Sequence, residues 1–351
     1  MAEGNASDAE SYVKHDHLEV ERAKLEHKIR LEHWMENLPE HLHYLPLYCL
    51  AIPGTHESGS YSIEPHSEFS PEEHDRRKSR MLHLVGNTTK KVIYNWRRTQ
   101  DLTCLKQLLH GVRYLSFAVA PKEGSSEIFI VCGLFGNPVS SILADIKEFM
   151  DSHPKEIILI DFEHFFEMTS NHHQQLMKQV TEAFGSKVCP YPEDPEEVTL
   201  AWLWQQEYQI LIFYRHEIAK DHPFLWVDCI EGASAEALHI SDLIFFLSQN
   251  YLRERNEKTF YVSKGHLTPT VAFTLRHPRS CLQDMLVNTT HAALYQWLKE
   301  KTAGKYGVNI VTCDFVESHK FHFCFMVVEV NYYELMVAEH DKKKKMHGRK
   351  T

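Results

Sequence analysis

The sequence predicts an α/β protein built as a single TIM-type (β/α)8 barrel, regular or distorted. Eight short apolar runs recur along the chain, and stretches of helical period separate several of them. The runs are near-continuous rather than alternating, as expected of parallel strands covered on both faces. A chain of 351 residues suits one such barrel. The other arrangement that fits the alternation is an open doubly wound sheet. Against it, the first run is not followed by a Gly-x-Gly-x-x-Gly turn.

The predicted strands lie at 48–53 (YCLAIP), 114–120 (YLSFAVA), 128–135 (IFIVCGLF), 157–165 (IILIDFEHF), 208–214 (YQILIFY), 224–230 (FLWVDCI), 259–263 (TFYVS) and 308–315 (VNIVTCDF). Between them, 140–153, 171–184, 241–255 and 291–302 place apolar residues three and four apart, the spacing of an amphipathic helix. Residues 1–33 are charged and predict a helical extension, the barrel takes 34–338, and 339–351 form a basic tail. Polar residues 64–91 read as a surface insertion or lid. The segment 321–337 is apolar, but His322, Glu329, Asn331 and Glu334 interrupt it, so it is expected to pack on the barrel as its last helix.

Composition narrows the function. A hydrophobic content of 43% supplies a large core, and the formal charge of -10 argues against a nucleic-acid partner. The N-terminus shows no secretory signal and no apolar run is long enough to span a bilayer, so a cytoplasmic location is expected. The eight cysteines form no Cys-x-x-Cys pair, and no metal or other cofactor is expected. KKKKMHGRK at 342–350 is either a solvated tail or a contact for anionic membranes.

In a barrel of this type, chemistry sits where the strands end. Four segments near those ends stand out: LAIPGTHESGSY (50–61), LLHGVRYLSFAVA (108–120), CGLFG (132–136) with HPKEIILIDFEHF (153–165), and NIVTCDFV (309–316). Taken in this order they resemble the X domain of phosphatidylinositol-specific phospholipase C, in its small single-domain form. The resemblance covers roughly residues 34 to 335. It implies a phosphoric diester hydrolase fold and an inositol phospholipid or inositol phosphate headgroup as the partner.

Carried over by position, the resemblance makes His56 the general base and Asp314 the carboxylate that orients it. Glu57 stands where small family members have aspartate. Two family motifs are altered. Cys132 replaces the second histidine, which protonates the leaving group, and Ser116-Phe117-Ala118 replaces an Asp-Leu-Arg whose arginine holds phosphate charge. A thiol is a poor substitute acid, and a Cys132–His56 nucleophilic site has no other support in the sequence. Asp161, Glu163 and His164 are expected at the barrel mouth, to recognise ring hydroxyls. Arg215 reads either as a substrate-binding cation or as a surface salt bridge, and Arg113 as a structural salt bridge.

The expected function is therefore a phospholipase C X-domain homologue with a degenerate site and weak or no turnover. Two alternatives remain open. One is an active phosphodiesterase using His56 and Asp314 with a rebuilt acid. The other is a non-catalytic interaction scaffold that kept the barrel.

Overall fold

The computed structural model of the protein describes residues 20, 22, 25–72, 86–253, 256 and 258–333. Among these, nine strands join in one sheet. In chain order they are β1 (Ile52–Thr55), β2 (Tyr114–Pro121), β3 (Ile128–Cys132), β4 (Leu134–Pro138), β5 (Ile158–Phe165), β6 (Ile210–Tyr214), β7 (Ile230–Glu231), β8 (Phe260–Lys264) and β9 (Ile310–Cys313). The helices are α1 (Gly86–Arg97), α2 (Cys104–Leu109), α3 (Val139–Ser152), α4 (Ser170–Phe184), α5 (Leu200–Gln205), α6 (Ile240–Leu252), α7 (Val271–Arg276), α8 (Asn288–Leu298) and α9 (His322–Val330).

The barrel strands are parallel neighbours, with one gap in the pairing, between β6 and β7. β1 pairs with β2, β2 with β5 and β5 with β6; β7 pairs with β8, β8 with β9, and β9 returns to β1. No ladder joins β6 to β7 among the described residues; β6 is met instead by a single bridge, Phe213 to Trp226, in the segment that leads to β7. There the Trp226 N–H donates to Ile212 O at 2.7 Å and its carbonyl accepts from Tyr214 N at 3.1 Å. This is the distortion of the barrel. β1, β6 and β9 are buried along their whole length, which is why their sequence shows no polar alternation.

The third apolar run departs from expectation. It does not enter the ring, because β2 pairs directly with β5. Instead β3 and β4 form an antiparallel hairpin on the far end of β2. Gly133 makes the turn with φ 69, a conformation that favours glycine. A continuous apolar run cannot reveal that it is folded in two. The first strand is also shifted, since Leu47–Cys49 form a 3-10 turn and pairing starts at Ile52.

The helices follow the predicted spacing closely. α4 buries His173, Leu176, Met177, Val180 and Phe184 along one face. Its first turn is held by a capping box in which Thr169 and His172 satisfy each other's backbone N–H groups, and Gly185 ends it at φ 52. α9 is buried from Phe323 to Val330, as expected of a last helix packed on the barrel. Just beyond it, the Asn331 side chain accepts from Ala51 N at 2.8 Å and donates to Ala51 O at 2.9 Å, pinning the entry to β1.

The segment before the barrel docks on the opposite end from the strand termini that carry the candidate site. Arg113, fully buried, pairs with Glu156 at 2.8 Å and donates to Glu32 O at 2.7 Å. The Glu156 carboxylate in turn accepts from Met35 N and Glu36 N. Arg113 is thus the structural salt bridge its place at a strand entry suggested. Of the charged extension, Arg22 reaches Glu329 at 2.6 Å. The basic tail at 339–351 and residues 73–85 of the expected lid lie outside the described residues.

Candidate active site

The loop after β1 is fixed before it meets any ligand. A Cβ on Gly54 would lie 2.7 Å from the Tyr114 ring, so only glycine lets β1 approach β2 this closely. Ser116 N donates to Ser58 Oγ at 2.9 Å, Ser58 N donates to Ser116 O at 2.9 Å, and the Ser116 hydroxyl accepts from Glu57 N at 3.1 Å. Thr99 Oγ1 donates to His56 O at 2.8 Å. Within this frame Glu57 takes φ 44, a strained value for a residue with a side chain. Ser116, at a degenerate family position, serves here as a scaffold for the loop.

The frame brings His56 and Asp314 together. His56 Nδ1 lies 3.1 Å from Asp314 Oδ1 although 258 positions separate them. The contact follows from β9 pairing with β1, which sets Cys313 opposite Thr55. Burial pulls the His56 pKa down, but the hydrogen bond to Asp314 and the charges of Glu57 and Asp314 outweigh it, so the pKa is raised. Asp314 accepts at Nδ1–H, which leaves Nε2 facing outward as the proton-accepting nitrogen. On the other face, His266 stacks on His56 with ring centroids 3.8 Å apart and planes 11° apart. Burial holds the His266 pKa well below the ordinary histidine value, and Nδ1 has no hydrogen-bond partner among the described residues.

His56, His266 and Asp314 bring three potential metal ligands within 4.8 Å of one another. The stacking argues against their use. Ring lone pairs lie in the ring planes, and two nearly parallel planes do not converge on one ion.

Cys132 lies beside the base, at the end of β3. Its Sγ is 2.7 Å from Glu57 Oε2 and 2.7 Å from Arg97 O. A thiol carries one hydrogen, and the carboxylate is the stronger acceptor. Burial and then the Glu57 charge push the Cys132 pKa well above its ordinary value. Glu57 itself stays low because Arg97, 3.7 Å away, and His56 outweigh burial. Arg97 also pairs with Glu72. The thiol is therefore un-ionised and turned toward Glu57. Ala118 is buried beside Ala120, Val131 and Phe135 and brings no charge to the site.

The rest of the mouth is a chain of ion pairs. Asp161 is fully buried and accepts from Arg215 through Nε at 3.1 Å and Nη2 at 2.6 Å, and from the Tyr114 hydroxyl at 2.7 Å. Burial raises its pKa, with the Arg215 contacts opposing. Glu163 contacts Lys264 and lies 3.7 Å from Arg215. Burial pushes the Glu163 carboxyl up, but Lys264 and Arg215 outweigh it and hold the pKa down to about 2. His164 is exposed, just past a bulge between β2 and β5. Partial desolvation of its ring still lowers its pKa.

The structure thus gathers His56, Glu57, Cys132 and Asp314 at one corner, and Asp161, Glu163 and Arg215 at another. Sequence reasoning missed His266, Arg97, Tyr114 and Glu72 as members of these networks. Lys264 carried a signal, since it ends a strand, but no partner was legible.

A family model for the phosphatidylinositol-specific phospholipase C, X domain matches residues 87–216. The chain is 38% identical over 301 residues to PI-PLC X domain-containing protein 2 of Mus musculus, covering 85% of this chain and 87% of that protein. The chain belongs to the PI-PLC X domain-containing protein family. PI-PLC X domain-containing protein 3 of Homo sapiens is 33% identical over 308 residues, covering 87% of this chain and 95% of its own length. Among solved structures, a phosphatidylinositol-specific phospholipase C of S. aureus superposes with a TM-score of 0.58 at 15% identity, covering 86% of this chain and 98% of that one. The enzyme from Listeria monocytogenes gives 0.54 at 16% identity, covering 86% and 99%. At such identities the likeness is one of fold, and it supports the TIM-type barrel. The X-domain match contains Ser116, Ala118, Cys132, Asp161, Glu163, His164 and Arg215, while His56 and Asp314 fall outside it.

Proposed function

We propose that this X-domain protein recognises an inositol phosphate or inositol phospholipid headgroup at the barrel mouth and turns it over weakly or not at all. The observation that carries the reading is the Cys132 thiol, buried, un-ionised and directed at Glu57 rather than at the mouth. A base without an opposing acid can take the proton of an attacking hydroxyl, but the leaving oxygen then departs unprotonated. Ala118 adds no charge for the phosphate.

The charges at the mouth favour a polyol over a phosphate. His56, Arg97, Arg215 and Lys264 face Glu57, Glu72, Asp161, Glu163 and Asp314, and most of these cations are already paired. Carboxylates held in such pairs still have lone pairs for ring hydroxyls. On the same reading the chain works in the cytoplasm and touches anionic membranes through 342–350.

The test is a titration with inositol 1-phosphate and, separately, with free myo-inositol, following the His56 and His266 ring resonances. Both ligands are expected to shift them, with the phosphate adding little affinity. No shift with either ligand would favour the scaffold reading. The His56–Asp314 pair supports a second reading, an active phosphodiesterase with a rebuilt acid, which a turnover assay separates from the first.

A further inference from the structure

His153 caps the C-terminal end of α3, at the barrel end away from the candidate active site. It is 4% exposed, and its ring stacks on Phe149 with centroids 4.0 Å apart. Its Nδ1 lies 2.8 Å from the Phe149 carbonyl oxygen. A carbonyl oxygen only accepts, so Nδ1 bears the hydrogen, and Nε2 is the lone-pair nitrogen of the neutral ring. That lone pair faces Glu32 Oε1 at 2.9 Å. Two acceptors do not rest at this distance unless a second proton lies between them or a cation sits beside both.

A third donor stands beside them. His33 is next to Glu32 on the 3-10 turn Leu31–His33, and its ring centroid is 4.8 Å from that of His153. Donor atoms of Glu32, His33 and His153 all lie within 4.8 Å of one another. His33 Nδ1 faces Glu36 at 3.7 Å. A ring N–H given to a carbonyl, and another facing a carboxylate, are the outer contacts that orient imidazole ligands toward a metal.

We propose that Glu32, His33 and His153 form a divalent-metal site, with zinc the best-matched ion, that fastens the segment before the barrel to α3. Two imidazoles and one carboxylate suit zinc, with water as a fourth ligand. Glu36 is engaged by Lys155 at 3.3 Å and stays an outer partner. A tetrahedral ion about 2.1 Å from each donor needs donors about 3.4 Å apart. The buried His153 is fixed. Glu32 and His33 are partly exposed, so the Glu32 carboxylate can open slightly from His153 and the His33 ring can move in. The scattered cysteines spoke against a zinc site built from thiolates; this set uses none of them. Its place on the barrel's stability face makes the role structural.

The test is a zinc titration of the full chain after stripping with a chelator, read by competition with a chromogenic chelator, with cobalt as a spectroscopic substitute. One equivalent is expected to bind in the micromolar range or tighter, with a tetrahedral cobalt band in the visible. Glu32→Gln and His33→Ala should each weaken zinc binding about 10–100-fold and remove the cobalt band. His153→Gln removes a buried side chain, so the partly exposed His33 is the decisive position, with thermal melts confirming its fold. Zinc should raise the melting temperature of the natural chain and not of His33→Ala. Unchanged zinc affinity in both variants, or no stoichiometric site in the natural chain, would overturn the proposal and leave a proton in the gap.

Discussion

Cys132 Sγ lies 2.7 Å from Glu57 Oε2, so a thiol in the place of the family's second histidine is a hydrogen-bond donor to the residue beside the base. Glu57 is held ionised by Arg97 and His56, and it holds the thiol un-ionised in return. Thiolate, not thiol, reacts with alkylating agents. Native-state labelling with iodoacetamide at pH 7.5, read by peptide mass spectrometry, should therefore modify the partly exposed Cys281 before Cys132. Fast labelling of Cys132 would mean a thiolate and would revive a Cys–His site.

The His56–Asp314 pair makes a prediction in pH. The folded chain raises the His56 pKa, so the pair stabilises the protein below the unfolded value near 6.5 and loses that contribution as pH rises through the folded value. Asp314→Asn should lower the His56 titration midpoint measured by NMR, and remove the extra stability at about pH 6. An unmoved midpoint would show that Glu57 alone sets the histidine.

Arg215 separates a buried pair from a surface one. With Asp161 fully buried, Arg215→Met should strand a carboxylate and destabilise the chain by about 3–5 kcal/mol in urea unfolding. A loss of under about 1 kcal/mol would return Arg215 to the surface salt bridge that the sequence left open.

Glu163 gives the opposite pH sign from His56. Its folded pKa near 2 lies below its ordinary 4.5, so its stabilisation is present above that value and fades as pH falls toward 2. Lys264→Met should raise the midpoint of acid unfolding and cost roughly 1–3 kcal/mol at neutral pH. An unchanged acid midpoint would mean that Arg215 alone compensates Glu163.

How far these contacts were legible depends on their range in sequence. His56 and Asp314 could be paired in advance because the resemblance to the X-domain family implies it, and closing a barrel sets the last strand beside the first. Asp161, Glu163 and Arg215 were legible as positions at the mouth. That Asp161 and Glu163 are already occupied by Arg215 and Lys264 was not, since cross-barrel partners leave no periodic trace. His266 lies two residues past β8, in a loop whose direction no propensity sets. The hairpin of β3 and β4 was hidden for a local reason: Gly133 interrupts an apolar run without changing its hydrophobicity.

The basic segment at 342–350 makes a separate prediction about membranes. Deleting 342–351 should weaken binding to anionic vesicles, and added salt should mimic the deletion. Each lysine near such a surface contributes about 1 kcal/mol, screened over roughly 8–10 Å. Equal vesicle binding by the intact and truncated chains at low salt would make the tail a solvated one.

Hydrolysis of labelled phosphatidylinositol bears most directly on the proposed degeneracy. Loss of a positioned acid costs about 10²–10⁴ in rate, and loss of a charge preorganised on the phosphate about 10²–10³. The natural chain should therefore run roughly 10³–10⁶ below an intact relative, the two losses being non-additive. Cys132→His with Ala118→Arg should regain more activity together than either alone, and lose it when His56→Ala is added. Ser116 is best left in place, because its hydroxyl holds Glu57 N. Near-silent natural protein and a restored variant that depends on His56 are expected; ordinary family-level turnover by the unmodified chain would contradict the degenerate site.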